Sequence, residues 1–132
     1  MQSPELSNQW PSLVANAADL CIKPWIHSVV LGECELIHST DKEFPLDIAV
    51  LIQARRKTGE RVPEQDIELE VFKSSNEINI ILSWHSKNNS PILWHGKHPV
   101  WMDGDSGIKV EAPQDSSVLE SFARKVRALF VE

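Results

Sequence analysis

Residues 66–95 read DIELEVFKSSNEINIILSWHSKNNSPILWH, and this stretch decides the fold. Ile67, Leu69 and Val71 alternate with Glu68 and Glu70, the period-two pattern of a strand with one buried face. After Ser74-Ser75-Asn76-Glu77, the residues Ile78, Ile80, Leu82 and Trp84 alternate in the same way. A two-residue loop at Ser75 and Asn76 sets Val71 opposite Ile80, Leu69 opposite Leu82 and Ile67 opposite Trp84. Cross-strand neighbours share a face, so this register puts both apolar sets on one side, and a one-residue slip would break it. Beyond the longer loop Ser86–Pro91, pairing Leu82 with Trp94 and Trp84 with Ile92 brings two tryptophans to the same apolar face. The stretch is therefore a three-stranded antiparallel meander.

Working outward, Leu13, Val14, Ala17, Ala18 and Cys21 follow Trp10 at helical spacing, which predicts a helix from about Pro11 to Ile22. Pro11 suits its first turn, and Pro24 forbids continuation. Trp25 to Ile37 is rich in β-branched residues, with Gly32 as a bend, and Asp41-Lys42-Glu43 forms a polar turn. Leu46 to Ala54 is the most continuously apolar run, which predicts a central strand covered on both faces. After Gly96 the chain is rich in loops, with short strand candidates at Val100-Trp101-Met102 and Ile108-Lys109-Val110. Ser117 with Glu120 makes a capping box for a closing helix, whose stripe is Val118, Phe122, Val126, Leu129 and Phe130. Arg124, Lys125 and Arg127 occupy its late turns, where cations complement the helix dipole. The expected architecture is α+β: an antiparallel sheet of about five strands, with an N-terminal and a C-terminal helix packed on its apolar face.

Composition bounds the function. The chain has 132 residues, one domain's worth, of which 42% are hydrophobic and 24% charged. Such a length buries about two-thirds of its unfolded surface, so neither metal nor disulfide is required for a core. Thirteen Lys and Arg against nineteen Asp and Glu leave a net charge of −6, which argues against a nucleic-acid or anionic-membrane partner. No apolar run is long enough to span a membrane. Met1 to Trp10 lacks the basic and apolar regions of an export signal, and Cys21 and Cys34 have neither metal-ligand nor C-x-x-C spacing. A cytoplasmic location with reduced thiols is the expectation.

The hairpin register makes a statement about the opposite face. Glu68, Glu70, Ser83, His85 and His95 point there, and Asp66 falls opposite His85. Asp66, Glu68, His85 and His95 together have the ligand types of a divalent metal site, or of a carboxylate-tuned general base in a hydrolase-type enzyme. The plainer alternative is a water-facing sheet surface with weak ion pairs. His95 and His98 stand three apart, but Gly96 and Pro99 oppose the helix that would aim both at one ion. Asp103-Gly104-Asp105-Ser106-Gly107 has the look of a calcium loop, yet its glycine comes at position five and Gln114 stands where a bidentate Glu is required. A tight acidic turn explains it better. Glu70 and Lys73 are spaced to face opposite ways, which rejects a restriction-type nuclease core with Asp47. Arg55, Arg56, Lys57 and Arg61 cluster in one loop as solvated charge or an anion contact. No phosphate loop, nucleophile elbow, dinucleotide fingerprint or H-E-x-x-H occurs, and no cofactor is expected.

What remains is surface for partners. Trp101 and Met102 lie in the loop-rich region without a core position, and Phe72, Ile81 and Leu93 interrupt the polar face of the sheet. Tryptophan and methionine are enriched at interfaces, and twofold homodimers are the commonest assemblies. The order helix, antiparallel strands, helix is similar to that of small bacterial secretion-chaperone-like domains, which pair as dimers. That likeness is of element order alone and transfers no residue roles. The expected function is a non-enzymatic, homodimeric interaction domain in a chaperone-like or adaptor-like role. Its rivals are the metal or hydrolase reading above and a small-ligand binder with a pocket between sheet and C-terminal helix.

Overall fold

The computed structural model describes residues 4–30, 47–74, 77–86, 91–114 and 116–130, with the side chains of 4–8 and 47 left aside. Helix α1 (Pro4–Cys21) precedes strands β1 (Ile26–Val30), β2 (Asp47–Arg55), β3 (Ile67–Ser74), β4 (Glu77–Trp84), β5 (Ile92–His95), β6 (Pro99–Met102) and β7 (Lys109–Val110), and helix α2 (Ser116–Phe130) closes the chain. The strands form one antiparallel sheet whose spatial order is the chain order, β1 to β7. The class is α+β, with seven strands among the described residues where about five were expected. The additional pair is β6 and β7, the two short candidates after Gly96. Gly32, Cys34 and the turn at 41–43 lie outside the described residues.

The β3–β4 hairpin has the register its alternation requires: Ile67↔Trp84, Leu69↔Leu82 and Val71↔Ile80, bracketed at the turn by Ser74↔Glu77. The next register departs from expectation by one residue. Leu82 pairs with Leu93, Ile81 with Trp94 and Ile80 with His95. Because side chains alternate, this shift turns Leu93 and His95 inward and Trp94 outward. Ile92, Leu93 and Trp94 are all apolar, so alternation within β5 does not choose. The choice is made across the sheet, where Leu93 pairs with Trp101 and both are buried together. The other register would leave both of them facing away from the core.

Both helices lie on the same face. The core joins Trp10, Val14 and Ala18 of α1 and Leu119, Phe122, Ala123 and Val126 of α2 to Ile52, Leu69, Ile80, Leu82 and Leu93 of the sheet. Trp10 and Phe130 meet between the helices, with ring centroids 6.0 Å apart. Burial of Trp10 one turn before Val14 carries α1 back through Pro11, which sits inside the helix rather than at its start. With the helices on one side, β2 alternates: Ile48, Val50, Ile52 and Ala54 are buried, whereas Ala49 is exposed. This corrects the expectation of a strand covered on both faces.

Helix α2 is fastened to the sheet by polar contacts as well. Arg127 Nη1 donates to the carbonyl of Ile78 at 2.6 Å. Glu120 Oε2 accepts the indole N–H of Trp101 at 2.7 Å. Ser117 is exposed within the first turn, and the carboxylate predicted to complete a capping box is engaged by Trp101 instead. Among the described residues no helix is long and apolar enough to cross a membrane.

Candidate functional site

The register sends alternate residues of β3, β4, β5 and β6 to the sheet face opposite the helices, called the outer face here. One transverse row on it is Ala49–Glu70–Ile81–Trp94–Val100. Trp94 stands in this row 41% exposed. Its indole N–H donates to Asn79 Oδ1 at 3.0 Å, and Asn79 Nδ2 in turn donates to the carbonyl of Glu77 at 3.2 Å. Gly96 leaves room for this arrangement, since a Cβ there would lie 3.1 Å from Asn79 Oδ1. Trp94 is therefore both presented to the surface and held by its polar edge. Half-buried Phe72, Ile92, Val100 and Met102 surround it on the same face, and Ile26 and Val30 of β1 extend the apolar character to the sheet edge.

Of the five apolar candidates, Phe72 and Ile81 are on this face, as expected, and Met102, read as part of a loop-rich region, joins them through β6. Trp101 and Leu93 do not. Trp101 is 5% exposed and Leu93 is fully buried, because their mutual pairing sets both toward the helices. Trp94, which sequence reasoning assigned to the core, takes the surface place instead. The signal that distinguishes them is the pairing of β5 with β6, which lies beyond the reach of alternation within β5.

The acid–imidazole candidates do not converge. Glu68 and His85 meet through His85 Nδ1 and Glu68 Oε2 on the outer face, both about half exposed. Asp66 lies opposite His85 as expected, and the His85 amide donates to its carbonyl at 3.0 Å. Its side chain, however, is only 3% exposed and is bound by Arg61, and Oδ1 also accepts the Ala54 amide at 2.9 Å. Burial raises the Asp66 pKa, but the Arg61 and Ala54 hydrogen bonds outweigh it and hold the carboxyl below its ordinary value. His95 is on the opposite face, 6% exposed, because the β4–β5 register turned it inward. Burial, followed by the nearby cations Arg127 and Arg124, holds its pKa below that of a free imidazole. Among the described residues no group of three or more His, Cys, Asp and Glu is placed to hold a metal ion.

The remaining charged features resolve into local structure. Asp103 Oδ2 accepts the amides of Asp105 and Ser106 at 3.2 and 2.8 Å and the Ser106 hydroxyl at 2.9 Å, the closed acidic turn expected there. The basic loop divides among internal partners: Arg55 with the Gly59 carbonyl, Arg56 with Glu60 and the face of Trp25, and Arg61 with Asp66. A cleft of about 590 Å³ opens between β6, β7 and α2, with Trp101, Val110, Ala112 and Glu120 in its lining. It arises because α2 packs on β4 and β5, which leaves the helix-side face of β6 and β7 partly uncovered.

These features define an α+β protein with a two-helix layer on one side of a meander sheet and an anchored tryptophan on the other. The chain belongs to the family described as Domain of unknown function (DUF8659), whose model matches residues 11–129. No curated protein and no solved structure matches it significantly.

Proposed function

We propose that this protein is a cytoplasmic, non-enzymatic interaction domain that pairs with a second copy of itself through the outer sheet face, in a chaperone-like or adaptor-like role. The observation that carries the reading is Trp94. An exposed tryptophan fixed by Asn79 presents a large apolar surface that loses little side-chain freedom on binding. Aromatic anchors of this kind dominate the energetics of protein interfaces. The half-buried apolar residues around it supply a surface whose wetting is unfavourable.

Sedimentation velocity at tens of micromolar tests the reading. The expected result is a dimer that Trp94→Ser weakens at least about tenfold, with the circular dichroism unchanged. A wild-type protein that stays monomeric through this range would overturn it.

The cleft beside α2 favours a second reading, a small-ligand site floored by Trp101 and Glu120. A thermal-shift screen with small amphipathic molecules tests it, and a hit abolished by filling the cleft with Ala112→Trp would favour it over self-pairing.

A further inference from the structure

We infer that the two copies stack sheet against sheet about a twofold axis running along β5, with Glu68 of each copy set against Lys109 of the other. This rests on the self-pairing reading above and specifies its geometry. The argument begins with a second transverse row on the outer face. Glu68 pairs with Ser83, Ile92 with Met102, and Met102 with Lys109. Because Leu82 pairs with Leu93, Ser83 and Ile92 are neighbours in the same register. The row is thus Glu68–Ser83–Ile92–Met102–Lys109, acidic at one end, basic at the other and centred on β5.

A twofold axis along β5 maps β3 onto β7 and β4 onto β6 of the second copy. Self-complementarity under such an axis requires that each residue suit its image in the reversed row. From β4 to β6 the first row is apolar throughout, the second is apolar at its centre with Ser83 against Met102, and the ends of the second row carry opposite charges. Glu68 meets Lys109 of the second copy, Ile92 meets Ile92, Ile81 meets Val100, and Trp94 lies on the axis against its own image. An axis along β3 or β7 would set Glu68 or Lys109 against its own image and leave Trp94 off centre. Strands are about 4.8 Å apart, so β3 and β7 each lie about 10 Å from the axis, and packed sheets are also about 10 Å apart. An interlayer twist of about 30° displaces the facing ends by about 5 Å, within the span of extended Glu and Lys side chains. Glu68 and Lys109 are both exposed, and the contact between Glu68 and His85 leaves carboxylate lone pairs for a second donor.

Charge reversal tests the geometry. Glu68→Lys alone sets two lysines face to face at each contact, and Lys109→Glu alone sets two glutamates there, twice in each dimer. Each variant is expected to dimerise about tenfold more weakly than wild type. An equimolar mixture of the two pairs opposite charges again in the mixed dimer, because one contact joins the native Glu68 and Lys109 and the other joins the two reversed residues. It is expected to form a heterodimer of near wild-type affinity. Single variants that dimerise like wild type, or a mixture that fails to recover, would overturn the inference. If Trp94→Ser still dissociates the dimer in that case, the self-pairing reading survives, whereas a monomeric wild type would end both.

Discussion

Arg61 closes on both carboxylate oxygens of Asp66, with Nη1 to Oδ1 at 2.9 Å and Nη2 to Oδ2 at 2.7 Å. The same Oδ1 accepts the amide of Ala54, so one buried side chain ties the end of β2 to the segment entering β3. Arg61 Nη1 also donates to the Ala54 carbonyl at 3.0 Å, which closes the corner. Asp66→Ala removes three charge-assisted hydrogen bonds and leaves Arg61 without its partner. We expect a loss of about 3 kcal/mol in urea denaturation.

Acid should weaken the same corner. The folded Asp66 carboxyl is held below its ordinary value, so its stabilisation is complete above the unfolded pKa of about 4. It is lost as pH falls through the folded value. Denaturation midpoints measured between pH 5 and pH 2 should fall more steeply for wild type than for Asp66→Asn.

His95 gives a second, separate window. Its folded pKa lies below that of the unfolded imidazole, so below about pH 6.5 the unfolded chain takes up a proton that the folded protein disfavours. Stability should therefore decline as pH falls from 7 toward 5. His95→Gln should flatten that decline, which parallel denaturation curves at pH 7 and pH 5.5 would measure.

Trp101→Phe keeps an aromatic ring against Leu93 but removes the N–H that Glu120 accepts. The expected cost is about 1–2 kcal/mol, because the lost hydrogen bond has a charged acceptor. Leu82→Ala at the fully buried centre of the sheet should cost about 2–5 kcal/mol by leaving a cavity. Thermal and urea unfolding of the two variants would rank them.

Gly96→Ala should act on the anchor without altering the Trp94 side chain itself. The new methyl group sits 3.1 Å from Asn79 Oδ1 and 3.6 Å from Trp94 Nε1, so Asn79 must give way. We expect faster hydrogen exchange at the Trp94 indole N–H in NMR spectra, with a stability cost of about 1 kcal/mol.

The contrast between Leu69 and Trp94 shows what was legible in the sequence. Leu69 lies in strict alternation beside a two-residue turn, so local chemistry alone fixes its partner, Leu82. Trp94 follows a longer loop in a strand of consecutive apolar residues, and its face is chosen by the pairing of Leu93 with Trp101. His95 and Leu93 were misplaced for that one reason, and Trp101 because β6 was read only as a short candidate within a loop-rich stretch. The grip of Arg61 on Asp66 was hidden differently: the two are joined across a 3-10 turn (Pro63–Gln65), a separation with no pattern of its own. Glu68 and His85 were placed on one face correctly because both belong to the legible hairpin.

Spatial order that repeats chain order has a consequence for biogenesis. Each strand hydrogen-bonds to the next one made, so the sheet can zip in the direction of synthesis with little chain to close at each step. Among the described elements the late event is α2, which is translated after β1 to β7 and must reach back to Trp10 of the first helix and to Ile78 in mid-sheet. Until its fifteen residues clear the ribosome, Phe122 and its neighbours are missing and the greasy underside of the nascent sheet stays open. Chains stalled before α2 are accordingly the species that chaperones or proteases would meet.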